Sequence, residues 1–147
     1  MSEGFTGACY CGAVTYRVEQ HSIPFASLYC HCESCRRAHA APVYHVVYVK
    51  EEDFTFTSGK ENIEFFRKGD KTMVTRAFCK ICGSKVQNIL HNKPWFGFFP
   101  STLDEKIQQN LPSQFQPQMH YCWKEAVCPV ERLDPTLPKV EDDPLPA

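Results

Sequence analysis

The 147-residue sequence lacks long hydrophobic runs, a strong net charge and a basic arm. No stretch approaches the roughly 20 apolar residues of a membrane-spanning helix, and the first residues show no basic region followed by an apolar segment. The formal net charge is −1, so there is no global positive field to attract nucleic acid or an anionic membrane. We therefore expect a cytoplasmic protein with neither a nucleic-acid nor a membrane partner.

The length is that of one domain. We predict a folded domain over residues 1–128, whose core bulk comes from eleven phenylalanines in the whole chain. From residue 129 onward five prolines and several acids predict a loose C-terminal tail over 129–147.

Short β-branched and aromatic segments predict a mostly β fold with successive antiparallel strands. Only two short helices are expected, over residues 36–41 and 101–107, the first ending before Pro42. Residues 114–123 are predicted to be extended. The strands are expected at 14–18, 43–49, 54–57, 63–67, 72–78, 85–90 and 95–99, and the aromatic side chains of the last segment are expected in the core.

Nine cysteines in a chain of this size indicate either disulfides or metal sites. The odd number, the absence of a secretion signal and the short spacings favour metal. Buried free thiols and redox pairs are the other interpretations.

The pair Cys79 and Cys82 has the Cys-x-x-Cys-Gly spacing of a zinc knuckle. A redox motif with this spacing is expected at a βαβ crossover, whereas this one lies among predicted hairpins. Cys9 and Cys11 form a second turn with a trailing glycine, Gly12. Two such turns can close one tetrahedral structural site, which would bind metal only in the folded chain.

Cys30, Cys32 and Cys35 remain as a set of three, which predicts a second zinc with an open position. The alternative is a closed site completed by His31, His39 or Cys122. Three thiolates leave the zinc centre with a net negative charge, which makes it a weak activator of water. We therefore expect it to bind a soft ligand, an incoming thiol.

The sequence gives weaker evidence for the roles of the other polar residues and cysteines. Arg36 and Arg37 follow the second set and either offset its charge, bind a substrate carboxylate or are solvated. His45 is expected to be a hydrogen-bonded strand residue, and His120 is a weak candidate for proton transfer. Cys122 and Cys128 are most simply free thiols.

Three cysteine blocks together resemble the glutathione-dependent formaldehyde-activating enzyme family, also described as the centromere protein V domain family. They are Gly-Ala-Cys-Tyr-Cys-Gly-Ala-Val-Thr-Tyr at 7–16, Cys-His-Cys-Glu-Ser-Cys-Arg-Arg at 30–37 and Arg-Ala-Phe-Cys-Lys-Ile-Cys-Gly-Ser at 76–84. The similarity covers most of residues 4–125. Ala40 stands where the family often has glycine, and residues 134–138 only loosely match the family's tail.

The resemblance implies an Mss4-like fold of coiled antiparallel β-sheets with two zinc ions. It implies a structural zinc on Cys9, Cys11, Cys79 and Cys82, and a catalytic zinc on Cys30, Cys32 and Cys35. The implied reaction is a carbon-sulfur lyase reaction, in which glutathione and formaldehyde give S-hydroxymethylglutathione.

Two other functions are compatible with the sequence. One is a non-enzymatic, zinc-stabilised binding module, which a closed second site would favour. The other is a redox or metal-storage protein, which would show labile zinc or reversible disulfides.

Overall fold

The computed structural model describes residues 3–128 and 136–140. Strands dominate this part of the chain, which confirms the predicted mostly β class. Only two α-helices form in it, and both are short. The bounds are β1 Gly4–Ala8, β2 Thr15–Glu19, β3 Ala26–Cys30, α1 Glu33–His39, β4 Tyr44–Lys50, β5 Phe54–Ser58, β6 Ile63–Phe66, β7 Val74–Cys79, β8 Lys85–Leu90, β9 Trp95–Phe98, α2 Glu105–Gln109 and β10 Met119–Tyr121.

The strands form two sheets. The smaller has the order β1-β2-β5, and the larger has the order β10-β3-β4-β9-β8-β7-β6. All named pairs are antiparallel except β10, which lies parallel to β3 with Tyr121 opposite Cys30. This one parallel pair departs from the predicted succession of antiparallel strands, and it brings the end of β10 beside the first cysteine of the second motif.

Aromatic and β-branched side chains fill the main core. Tyr16 of the small sheet is fully buried, and its ring stacks on Phe54 with centroids 5.1 Å apart. Phe98 of the large sheet is also fully buried and packs edge-on against Phe115. The burial of Phe98 and Phe99 agrees with the predicted core role of the aromatic segment at 95–99. Burial of such large rings is the chief stabilising contribution in a domain of this size.

Helix α1 begins at Glu33, inside the cysteine motif, rather than at residue 36 as predicted. Cys32 is its N-cap, and the Cys32 sulfur accepts a hydrogen bond from the Cys35 backbone N–H. The helix ends at Ala40, which adopts the left-handed conformation with φ 50°. Glycine at that position would avoid the Cβ penalty of the left-handed conformation.

The second predicted helix also begins later than expected. Pro100–Thr102 forms a 3-10 turn and α2 covers Glu105–Gln109. Leu103, between them, is buried and pairs with Gly7 of β1 in an isolated bridge. This tertiary pairing interrupts a segment that local propensity alone predicts as one helix.

Residues 136–140, within the predicted tail, lie along β10. His120 donates its backbone N–H to the Pro138 carbonyl, and Val140 donates to the His120 carbonyl. The tail prediction for 129–135 and 141–147 lies outside the described residues. Among the residues that are described, no helix is long and apolar enough to span a membrane.

Gly59 occupies a position that tolerates no side chain. Its φ is +80°, and an added Cβ would lie 1.8 Å from the Ala13 carbonyl oxygen. We expect Gly59→Ala to lower the free energy of unfolding by about 2 to 5 kcal/mol, since left-handed strain and overpacking add. Gly69→Ala is the matched control, because an added Cβ there meets nothing within 4 Å. Urea unfolding of both variants tests this, and equal stabilities would contradict it.

Candidate metal centres

The four cysteines of the two glycine turns converge on one point. Cys9 and Cys11 lie between β1 and β2 of the small sheet, while Cys79 ends β7 of the large sheet and Cys82 lies in the following turn. Their sulfur atoms all lie within 4.8 Å of one another. The cluster therefore links the two sheets, and the group of four predicted from the sequence is brought together by the fold.

Both turns are built alike. Gly12 donates its backbone N–H to the Cys9 carbonyl and Gly83 donates to the Cys79 carbonyl, and both glycines have positive φ. The tight turn directs backbone N–H groups that follow it in the sequence toward the cysteine sulfur. An example is the 3.3 Å hydrogen bond from Val14 N–H to Cys9 Sγ. At Cys82, desolvation acts to raise the pKa, but backbone hydrogen bonds, that of Ser84 foremost, outweigh it and lower the pKa to about 6.

The sulfur separations fit a tetrahedral metal site. Cys9 Sγ and Cys11 Sγ are 3.7 Å apart, and Cys11 Sγ and Cys79 Sγ are 3.9 Å apart. Zinc–sulfur bonds of about 2.3 Å in a tetrahedron place neighbouring sulfurs about 3.8 Å apart. The four-cysteine group can therefore hold one metal ion with little rearrangement.

A second sulfur group forms around the Cys30 motif, but its membership differs from the expected set. Its three sulfurs within 4.8 Å of one another belong to Cys30, Cys32 and Cys122. Cys30 Sγ and Cys32 Sγ are 3.6 Å apart, again a spacing that fits a shared metal ion. Cys122 was foreseen only as an alternative ligand, and it arrives through the parallel pairing of β10 with β3.

Contacts among these sulfurs shift their pKa values in opposite directions. Interaction with the Cys30 thiol, and then with Cys32, lowers the pKa of Cys122 to about 4. The same contact with Cys122 raises the pKa of Cys30. The group thus favours at least one thiolate, the protonation state in which cysteine binds metal.

Cys35 lies beside this group and makes different contacts. Its sulfur is 3.3 Å from the Tyr44 hydroxyl oxygen, and the Arg76 guanidinium lies 3.6 Å from it. Cys35 also perturbs the pKa values of Cys30 and Cys32, so its sulfur is close to theirs. Its role as a metal ligand stays a prediction.

A cavity of about 1160 Å³ opens next to the second group. Cys30, Cys32 and Cys35 contribute to its wall, whereas Cys122 does not. Apolar side chains such as Val46, Phe66 and Met73 form much of the remainder, and the cationic residues of the wall are Arg37, Lys68, Arg76, Lys85 and Lys93. Ligand pockets commonly have volumes of about 300 to 1000 Å³, so this one can accept a molecule far larger than formaldehyde.

Among the residues lining this cavity in the described chain, Glu33 is the one acidic residue, and it pairs with Arg37 at 2.9 Å. Arg37 is otherwise exposed at the helix surface, and Arg36 donates to the His31 carbonyl. The Arg76 guanidinium contacts Cys35 Sγ at 3.6 Å, and another of its nitrogens, the buried Nη1, has no hydrogen-bond partner. The cationic residues of the cavity wall therefore outnumber the acidic one, and one of these cations, Arg76, contacts a cysteine sulfur.

The histidines considered from the sequence do not join either sulfur group in the described chain. His39 stacks on Tyr44 with ring centroids 4.1 Å apart. His31 and His120 are fully buried, and His31 Nε2 lies 2.9 Å from His120 Nδ1. Burial lowers the pKa of His31 and of His39 to about 4. The His31 and His39 rings are therefore neutral at pH 7.

His45 lies on β4 and hydrogen-bonds to Ser27 Oγ through its Nε2 at 2.8 Å, in agreement with the predicted role of a hydrogen-bonded strand residue. Burial lowers its pKa to about 4. The unfolded chain binds a proton at this side chain below about pH 6.5, while the folded chain does not until about pH 4. The stability that neutral His45 contributes is therefore complete above about pH 6.5 and is lost as the pH falls towards 4.

We expect the free energy of unfolding to depend less steeply on pH in His45→Gln, by up to about 1.4 kcal/mol per pH unit between pH 6.5 and 4. Urea unfolding across this range measures the slope. Since both proteins carry the same cysteine groups, acid-induced metal loss affects both, and the difference reports His45. Parallel curves would contradict the prediction.

Comparison with known proteins assigns the chain to a family. The family model described as glutathione-dependent formaldehyde-activating enzyme matches residues 4–125. A crystal structure of a Rhodobacter sphaeroides protein, solved by structural genomics, is similar with a TM-score of 0.57 and 25% sequence identity, covering 74% of this chain and 95% of that one. No curated protein matches the chain.

Proposed function

Since the chain belongs to the glutathione-dependent formaldehyde-activating enzyme family, we propose that it is a zinc-dependent carbon-sulfur lyase that forms or cleaves a thiol adduct. The leading reaction is the addition of glutathione to formaldehyde to give S-hydroxymethylglutathione. The observation that carries the proposal is that Cys30 and Cys32 of the second sulfur group, and the neighbouring Cys35, open onto a large cavity whose wall is rich in cationic residues.

Zinc is the proposed metal at both sulfur groups because all-thiolate ligand sets with these spacings suit it. The structural zinc is assigned to Cys9, Cys11, Cys79 and Cys82. The catalytic zinc is assigned to Cys30 and Cys32 with further sulfur from Cys35 and Cys122. When bound at the second group, zinc would lower the pKa of a ligating thiol and hold it as thiolate.

The reaction needs a balanced transfer of one proton. The substrate sulfur forms a bond to the carbonyl carbon, and the proton lost from the thiol ends on the carbonyl oxygen, with no oxidation or reduction. Tyr44 lines the cavity beside Cys35, and burial raises the pKa of its hydroxyl well above 10. A protonated Tyr44 can donate a hydrogen bond to the sulfur or to the developing oxyanion.

The cavity wall suits the rest of a glutathione molecule. Glutathione carries two carboxylates, and the wall offers Lys68, Arg76, Lys85 and Lys93. Arginine forms bidentate hydrogen bonds with carboxylates, and Arg76 lines the cavity. Because the addition of thiols to formaldehyde is already fast without a catalyst, a bulkier thiol adduct that uses the apolar wall is the other candidate substrate.

The cytoplasm is the proposed location. The nine cysteines, all within the described residues, are reduced, and a cytoplasmic glutathione pool would keep them so while supplying the substrate. A non-enzymatic binding module remains the rival class, since Cys122 offers a fourth sulfur that could close the second site. The cavity beside the other three cysteines favours the enzyme.

Exchange NMR tests the proposal. Glutathione and ¹³C-formaldehyde at equilibrium interconvert with their adduct, and a catalyst broadens the resonances or increases exchange cross-peaks. We expect the zinc-loaded protein to accelerate exchange in proportion to its concentration. Protein with zinc removed by a chelator is the control. If the protein accelerates exchange neither with glutathione nor with several other thiols, the proposal is wrong.

A further inference from the structure

Among the cysteines outside the four-sulfur group, Cys122 and Cys35 differ in their position relative to the cavity. Its sulfur lies within 4.8 Å of those of Cys30 and Cys32, as expected for ligands of one metal ion. Cys122 is absent from the cavity wall that includes Cys35. Cys35 therefore reaches the cavity wall, whereas Cys122 joins the Cys30–Cys32 pair without lining the cavity.

The backbone holds Cys122 in place on both sides. The preceding residue, Tyr121, accepts a hydrogen bond from the His31 N–H at 3.0 Å. In the following turn, Glu125 accepts one from the Glu33 N–H at the start of α1. Cys122 itself has a left-handed backbone with φ 56°. A non-glycine residue is strained in that conformation, so the surrounding hydrogen bonds impose this geometry on Cys122.

Cys35, by contrast, has a docking position outside the three-sulfur group. The Tyr44 hydroxyl and the Arg76 guanidinium both contact its sulfur. A cation and a hydroxyl group can accommodate this sulfur either as a thiolate or as a thiol. The residue can therefore leave a metal ion without exposing an unpaired buried group.

We propose that Cys30, Cys32 and Cys122 are the permanent ligands of the second metal centre, and that Cys35 holds the fourth, cavity-facing position only until a substrate thiol replaces it. In this exchange the substrate sulfur takes the position of the Cys35 sulfur, and the proton of the incoming thiol passes to Cys35. One thiolate replaces another, so the charge of the centre is unchanged. The ligand assignment is independent of the proposed function, while the exchange rests on it.

Zinc affinity provides the first test. Wild type, Cys122→Ser, Cys35→Ser and the control Cys128→Ser are loaded with zinc and titrated with a competing chelator. We expect the affinity of the second site to fall in Cys122→Ser by more than the about 10- to 100-fold typical of outer-shell changes, and in Cys35→Ser by less than that. Equal losses in the two variants, or a larger loss in Cys35→Ser, would overturn the assignment.

The sulfur count from zinc X-ray absorption tests the same assignment without relying on the folding of Cys122→Ser. With four sulfurs at each zinc, wild type should average about four sulfurs per zinc, and Cys35→Ser about 3.5. Averages of about 3.5 sulfurs per zinc in wild type and about 3 in Cys35→Ser would mean that Cys122 is not a ligand. Glutathione should return the Cys35→Ser average to about four. If it does not, the exchange is overturned, whereas the order of zinc affinities still decides the ligand assignment.

Discussion

Replacement of Cys79 by serine should release one zinc and leave most of the protein unfolded. Cys79 is fully buried at the end of β7, and its group joins the loop after β1 to the large sheet. Structural zinc sites bind with an apparent free energy of about 10 to 16 kcal/mol, which is available only to the folded chain. Loss of one ligand therefore removes a contribution comparable to the entire stability of a typical domain, about 5 to 15 kcal/mol.

Lys80→Ala is the matched control for this change. Lys80 lies between the two knuckle cysteines and is exposed, and its backbone N–H donates a hydrogen bond to the Asn62 carbonyl, which the substitution preserves. We expect it to retain both zincs and a cooperative thermal transition. Circular dichroism and elemental analysis compare the variants. A cooperatively folded Cys79→Ser protein with two bound zincs would contradict the structural role of the group.

Cys32→Ser should show the opposite profile: a folded protein that has lost the catalytic activity. Serine is a favoured N-cap residue, so its hydroxyl can replace sulfur as acceptor for the Cys35 N–H and preserve α1. The four-sulfur group is untouched. The second site, however, loses a permanent thiolate, and we expect glutathione–formaldehyde exchange to slow by about 100-fold or more.

The measurement for Cys32→Ser is exchange NMR beside zinc content and thermal unfolding, with Cys128→Ser as the control. The expected result is about one zinc per chain and a transition close to that of wild type. Wild-type exchange rates in a variant that has lost the second zinc would show that the chemistry takes place elsewhere.

The sequence predicted the features that depend on local spacing. Two sulfurs in a short cysteine turn that ends in glycine are close in any fold that forms the turn. The group of Cys9, Cys11, Cys79 and Cys82 therefore needed only one long-range assumption, that the two turns meet. The same holds for the core role of Phe98, which follows from a short aromatic segment.

Features that depend on tertiary pairing were not predicted. Strand β1 contains two glycines in five residues and forms through its pairing with β2. β10 is only three residues long, and no alternation marks it as parallel to β3. Consequently the sequence indicated Cys122 only as an alternative ligand, and nothing local distinguished it from Cys128. The start of α1 was misplaced because sulfur capping by Cys32 has no signal among the usual N-cap residues.

Arg76 and Tyr44 contact Cys35, and the sequence revealed neither contact. Both belong to strands, and their relation to Cys35 depends on the packing of α1 over the large sheet. The sequence offers one weak indication that Arg76 lies near a cysteine site, since it directly precedes the Ala-Phe-Cys segment of the third cysteine block. Because most arginines are solvated surface residues, an arginine on a strand next to a metal motif can be assigned a role only once the fold places it.

In the proposed reaction a substrate thiol binds through its sulfur at the second cysteine group. Selenium X-ray absorption of the zinc-loaded protein with reduced selenoglutathione tests it most directly, since the selenium replaces the reacting atom. We expect a zinc neighbour at bonding distance from selenium in wild type and none in Cys32→Ser. A selenium atom without a metal neighbour in the saturated wild-type protein would contradict it.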